Sequence, residues 1–205
     1  MRKNGKVLSL LIIFAILALS PFSGLAIIFS IAYILYEKKK FQNKFSVFTF
    51  QWGKTKEDIH KYWWLIILPF LAVIGQIVLA HYVVPAFNEH VMERVEPMLH
   101  ISSIVVLFPQ LLLLAFGEEL AFRGFAQEKL SELVDSKIAI IAISILFAFA
   151  HLSAGSMSVV MYDIGFILID SILYGILFLK TKNVYLTTIA HFLANIAGIY
   201  ILTFL

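Results

Sequence analysis

Apolar blocks long enough to cross a bilayer, separated by short lysine-bearing stretches, constrain this chain of 205 residues more than any other feature. A membrane helix needs about 20 mostly apolar residues, each adding about 1.5 Å of rise. The blocks run from Leu8 to Tyr36, from about Trp63 to Phe87, and then over about 102–127, 138–155, 163–179 and 183–204. Only 14% of the residues are charged and 61% are hydrophobic, against about 25% and about 45–50% in an ordinary soluble domain. So few charges cannot clothe a water-facing surface. Cysteine is absent, which excludes a disulfide framework, an iron–sulfur site and a cysteine nucleophile. The expected fold is an all-α, polytopic transmembrane helical bundle.

The lysines orient it. Arg2, Lys3 and Lys6 precede the first block, and residues 37–61 carry seven lysines against Glu37, Glu57 and Asp58. Both flanks therefore favour the cytoplasm and call for an even number of crossings between them. The block breaks at Ser20-Pro21-Phe22-Ser23-Gly24, so it reads as a short hairpin rather than one tilted helix. Trp63 and Trp64 sit where an interfacial aromatic belt belongs. Glu89, Glu93, Arg94 and Glu96 mark an external loop, and Lys180 and Lys182 return the last short connection inside. The sum is about seven spans with a cytoplasmic N-terminus, in what reads as a prokaryotic cell membrane. Membrane lipid is the implied environment. The clustered basic residues suit cytoplasmic loops that could touch anionic lipid, and no nucleic-acid partner is expected. Residues 1–101 form an N-terminal set of membrane helices, and 102–205 a four-helix core.

Ionisable side chains inside a span are expensive and mark a functional site by default. The fourth span holds Glu118, Glu119 and Arg123; the fifth ends its apolar run at Phe147 and His151; the last carries His191 and Asn195. Glu119 and Arg123, four apart, share a face and can pair, while Glu118 is turned about 100° away and left for another task. Counting rise from the proposed cytoplasmic ends puts Glu118 about 14 Å, His151 about 20 Å and His191 about 12 Å deep. All three lie within the membrane, so the active site is expected between helices. A carboxylate kept from bulk water can act as general base or acid. Histidine can share that work or bind a metal, and a His–Asn pair offers donors to an oxyanion. A Glu and two His residues can also hold zinc with one position open. The residues leave both a metal-bound water and a water activated by Glu and His alone.

The three motifs, Glu118-Glu119-x-x-x-Arg123, Phe147-x-x-x-His151 and His191-x-x-x-Asn195, resemble those of the CAAX-prenyl-protease and bacteriocin-processing family of intramembrane peptidases, also called the type II CAAX endopeptidase or Abi family. Phe122-Arg123-Gly124 and Gly175, ahead of a short basic turn, extend the match over about 102–200. The resemblance implies an endopeptidase with Glu118 as general base, His151 as its partner on water, and His191 with Asn195 at the oxyanion. Glu119 and Arg123 would hold the geometry, with Phe147 packed beside the site. Family members have been described as zinc enzymes and also as metal-free ones; if zinc is present, Glu118, His151 and His191 are its ligands. The implied substrate is a membrane-associated peptide or protein, such as a prenylated tail, leader peptide or bacteriocin, cut near the cytoplasmic side.

Plainer readings stand beside this one. The same polar pocket could bind a partner in a non-proteolytic immunity or scaffold protein, or relay protons in a small transporter. Asp170 is mid-span and reads as cavity-lining, whereas Asp163 reads as interfacial. His60, His81, His90 and His100 fall near span ends and read as interfacial too. No Gly-x-Ser-Gly and no His-Glu-x-x-His is present.

Overall fold

Pro21 and Gly24 do interrupt the first apolar block. In a computed structural model, which describes residues 2–41, 52–101 and 104–204, helix α1 (Arg2–Ala18) ends there and α2 (Gly24–Phe41) begins. Ser20 helps close the turn, its hydroxyl donating to Leu17 O at 2.8 Å and accepting from Phe22 N at 3.2 Å. The two helices pack on each other as a hairpin. Lys38, Lys39 and Lys40 sit in the last turn of α2, where the helix dipole favours cations. Part of the basic segment assigned to the cytoplasm, residues 42–51, lies outside the described residues, as do residues 102 and 103 at the expected domain boundary.

Helix α3 (Trp52–Val83) is longer than the expected third span, and its backbone leaves helical geometry at Tyr62, with φ −120° and ψ 18°. That kink divides a polar first part, with Lys54, Lys56, Glu57 and Asp58, from the apolar run that follows. The expected external loop is instead a helix, α4 (Ala86–Ile101). Its acids Glu89 and Glu93 are four apart, while Phe87, Val91 and Val95 repeat at the same spacing on the inward side. Charge density suggested a loop there; helical periodicity decided otherwise. The side chains of Arg94, Glu96 and His100 lie outside the described ones.

Helix α5 (Ile104–Glu119) runs directly into a π-helix, Leu120–Gln127, and a last α-helical turn, α6 (Glu128–Leu130). Every residue of the π-helix is buried. Phe122 and Phe125 pack edge-on or tilted against Phe14, Phe29 and Tyr33 of the hairpin, with ring centroids 5.2–5.6 Å apart. Arg123 and Gln127, four apart on another side, reach Ser171 Oγ at 3.1 Å and Gly175 O at 3.0 Å. Those partners are also four apart, on one face of α8 (Met157–Thr181). Gly175 makes the approach possible, since a Cβ there would lie 2.9 Å from Ile140 and 3.1 Å from Gln127 Oε1.

Helix α7 (Ser136–Ala150) is capped by Asp135, whose carboxylate accepts from Lys137 N. It stops before the expected end at 155, because the small and polar run Ser153-Ala154-Gly155-Ser156 does not propagate it. Helix α9 (Val184–Phe204) follows a tight turn in which Lys182 takes a left-handed φ of 53°. Asn183 caps it, accepting from Tyr185 N and Leu186 N.

Among the described residues, all regular structure is helical. Three helices are long and apolar enough to cross a membrane, Gly53–Val83, Met157–Thr181 and Val184–Thr203, while Asn4–Ala18 and Ser136–Ala150 are apolar but shorter. Large apolar side chains face outward, among them Leu113 at 69% and Met157 at 77% exposure, as lipid contact requires. The protein is a polytopic helical membrane protein. Its lysine-bearing helix ends gather at one pole, tied by Lys129–Glu37 at 2.9 Å, Lys182–Glu128 and Asn183–Thr55 at 3.0 Å.

Candidate active site

Glu118 and Glu119 close α5 and Arg123 lies in the π-helix. His151 caps the C-terminus of α7, and His191 sits two turns into α9. The structure brings all five together. Glu119 and Arg123 are wholly buried and their charges lie 3.4 Å apart, Oε2 to Nε. Neither atom has a hydrogen-bond partner among the described residues, so attraction rather than a directed bond holds them. Arg123 is further held by Ser171 and by the faces of Phe147 and Tyr174, 5.0 and 5.9 Å from its guanidinium carbon. Glu118 points elsewhere and keeps 25% exposure.

Both imidazoles are oriented through Nδ1. That of His151 donates to Phe147 O at 2.8 Å, and that of His191 donates to Glu119 Oε1 at 3.0 Å. A carbonyl or carboxylate oxygen can only accept, so Nδ1 carries a proton in each ring. Each Nε2 is thereby turned to the same atom, Glu118 Oε2, at 3.9 Å from His151 and 3.7 Å from His191. These separations exceed a direct hydrogen bond. Tyr174 stacks on His191 at 4.9 Å and 15°, and Phe147 lies against His151 at 4.4 Å.

Glu118, His151, His191, Asn195 and Asp170 line one cavity of about 340 Å³. His191 and Asn195, four apart on α9, face it together. The remaining wall is largely apolar and comes from α3, α4, α5, α8 and α9, including Ile77, Phe87 and Leu111. The lining positions of α9 run from His191 toward its C-terminus, and those of α5 from Glu118 back toward its N-terminus. The cavity therefore extends from the polar cluster away from the lysine pole and ends under α4. On the lysine side of the cluster, Gln127–Gly175 ties the π-helix to α8 and Lys129–Glu37 ties α6 to α2.

Other residues escaped the sequence reading. Asp163 is buried and lines the cavity rather than an interface. The signal was its spacing of seven from Asp170, which puts both on one face of α8. Tyr174, four beyond Asp170, belongs to the same stripe. His90 is not a bare interfacial group: its Nε2 lies 3.0 Å from Ser153 Oγ, tying α4 to the segment after His151.

Zinc needs ligands about 2.0–2.1 Å from the metal, which spaces tetrahedral donors about 3.3 Å apart. Glu118, His151 and His191 converge more loosely than this. Among the described residues no group of three or more His, Asp or Glu is arranged to hold a metal ion.

Residues 100–197 match the family model described as Type II CAAX prenyl endopeptidase Rce1-like. No curated protein and no solved structure matches the chain. The matched segment contains every residue of the polar cluster. With the buried Glu–His pairing, it supports peptidase activity.

Proposed function

Residues 100–197 of this chain belong to the Type II CAAX prenyl endopeptidase Rce1-like family, and on that premise we propose an intramembrane endopeptidase that hydrolyses a peptide bond of a membrane-associated peptide or protein. One observation carries the mechanism: two imidazole Nε2 atoms, each fixed through Nδ1, converge on the single carboxylate oxygen Glu118 Oε2. A water held between Glu118 and His151 gives a proton to Glu118 as its oxygen attacks the carbonyl carbon. The carbonyl oxygen becomes an oxyanion, and the Asn195 amide donates to it together with His191, which does so as an imidazolium that carries a proton on Nε2 as well as on Nδ1. The proton on Glu118 then passes to the leaving nitrogen as the C–N bond breaks, giving a carboxylic acid and an amine and restoring the Glu118 carboxylate. Such preorganised donors act strongly in a site shielded from bulk water. Glu119 and Arg123 take no part in the bond changes; they position His191. The scheme uses no metal, since among the described residues no group of three or more His, Asp or Glu is arranged to hold one.

In this reading seven helices cross the membrane (α1, α2, α3, α5 with the π-helix, α7, α8 and α9). The lysine pole is cytoplasmic by the positive-inside rule, and the substrate reaches the site from the α4 side. Leader peptides and bacteriocin-type peptides are the substrate classes to try first, with prenylated tails as the comparison presented from the cytoplasmic face.

Purified protein in liposomes should cleave members of a panel of membrane-anchored peptides. Glu118→Gln and His191→Ala should each abolish cleavage, and a chelator should leave it intact. Cleavage that survives both substitutions would make the cluster structural. Loss on chelation would restore the zinc assignment. An unaltered biological effect in Glu118→Gln would favour the non-proteolytic immunity or scaffold reading.

A further inference from the structure

Gln76 lines the cavity, yet the hydrolytic scheme gives it no task. Val73, Gln76 and Ile77 present one face of α3 to the cavity, at the spacing of three and four that groups side chains on a helix. Gln76 is only 7% exposed, and its carboxamide makes no hydrogen bond among the described residues. Neither amide atom is cut off from open space, so the little surface that Gln76 keeps includes the polar end of its side chain and opens on the cavity. Its surroundings are apolar: Val73 and Ile77 pack with Phe87, Val159 and Leu202. An unpaired carboxamide held there is costly unless a partner enters the cavity.

The two helices beside α3 fix where that group stands. Tyr162 of α8 donates to Gln76 O at 2.6 Å, and a Cβ at Gly198 of α9 would lie 3.3 Å from Val73. Both contacts give its distance from the reacting groups. Gly198 is seven residues beyond His191, and Gln76 three beyond Val73 on a parallel helix, a combined rise of about 15 Å. Tyr162 is twelve residues from Tyr174, which stacks on His191, a rise of about 18 Å. An extended peptide advances about 3.4 Å per residue. Gln76 therefore stands about four or five residues from the bond to be cut, on the α4 side.

An extended peptide inside the bilayer brings main-chain N–H and C=O groups that apolar walls cannot satisfy. A carboxamide offers both an acceptor and two donors, the complement of one peptide unit. We propose that Gln76 is a substrate-binding residue whose carboxamide pairs with the main chain of the bound peptide about four or five residues from the scissile bond, and so sets its register against Glu118. The ligand is a stretch of extended backbone, recognised whatever side chains it bears. This deepens the peptidase reading and rests on its placement of the site.

The test separates binding from cleavage. Apolar Leu-Ala peptides, identical except that an ester replaces one amide at successive positions, are titrated into the Glu118→Gln protein in detergent micelles. Affinities are read by displacement of a fluorescent all-amide parent. An ester deletes one N–H and leaves every side chain in place. At the amide whose N–H Gln76 Oε1 accepts, the ester should weaken binding about two- to tenfold, the worth of one hydrogen bond. Adding Gln76→Leu should weaken the parent by a similar factor and make that ester harmless, and Gln76→Met should do the same. A parent bound equally with and without Gln76, an ester series in which no penalty disappears with Gln76→Leu, or no binding of the parent at all would each overturn the proposal. Wild-type protein is then tested for cleavage of the parent, and a cut at another distance from the sensitive amide would overturn the assigned register. Gln76-dependent binding without cleavage would sink the peptidase reading and leave the backbone contact standing, while cleavage with no Gln76-dependent amide would do the reverse.

Discussion

Glu118 and Glu119 are adjacent in sequence and opposite in circumstance. Glu119 is fully buried against Arg123 and His191, whereas Glu118 keeps 25% exposure to the cavity. Removing one partner of a buried pair leaves an uncompensated charge and costs about 3–5 kcal/mol. Glu119→Ala should therefore lower the unfolding midpoint in detergent sharply, and Glu118→Ala should barely move it. Equal losses in both variants would contradict the division between a positioning and a reacting carboxylate. The spacing of four predicts the Glu119–Arg123 pair from sequence. It does not predict that His151 and His191 meet Glu118 from two further helices.

At the scale of the helix, α8 offers an internal contrast between two glycines. A Cβ at Gly175 would meet Ile140 at 2.9 Å, but one at Gly165 would meet nothing within 4 Å. Gly175→Ala should destabilise by about 1–3 kcal/mol through overpacking, and Gly165→Ala should stabilise by up to about 1 kcal/mol through backbone entropy. Thermal unfolding of the two variants in the same detergent checks both signs. Losing the Asn183 cap of α9 in Asn183→Ala should cost about 1 kcal/mol on the same assay. The π-helix at Leu120–Gln127 was not legible in the sequence, because its residues satisfy an α-helical pattern equally well. The shift to i→i+5 bonding goes with contacts on two sides at once, the hairpin aromatics and α8.

Over the whole molecule, the lysine pole fastens the hairpin to the rest of the bundle. Lys129 lies just beyond the proposed fourth span and bonds Glu37 and Glu132 at 2.9 Å each. Burial by itself pushes its ammonium pKa down, but the hydrogen bonds and charges of Glu37 and Glu132 outweigh it, and the net shift is upward. A raised folded pKa means its stabilisation is complete below the ordinary lysine value of about 10.4 and fades as pH rises through the folded value. The melting difference between wild type and Lys129→Met should hold steady up to about pH 10 and shrink above it. Topology is open to a direct test because the chain has no cysteine. Single cysteines at Lys182 and Ala154 should label from opposite faces in sealed vesicles, with Lys182→Cys on the cytoplasmic one. Labelling from the same face would overturn the proposed orientation.

Composition and apolar block length by themselves determined that this chain makes a membrane bundle of helices, because too few charges exist to meet water and every buried backbone group must then be satisfied within a helix. Motif spacing likewise nominated the polar residues, since ionisable groups in apolar runs need partners. Only the tertiary structure decided which way those groups face. It turned both Nε2 atoms onto Glu118 by fixing each Nδ1, folded the acidic segment into α4 over the cavity, and drew Asp163 inside. These are properties of angles between helices far apart in sequence, and periodicity along one helix carries no information about its neighbour's rotation.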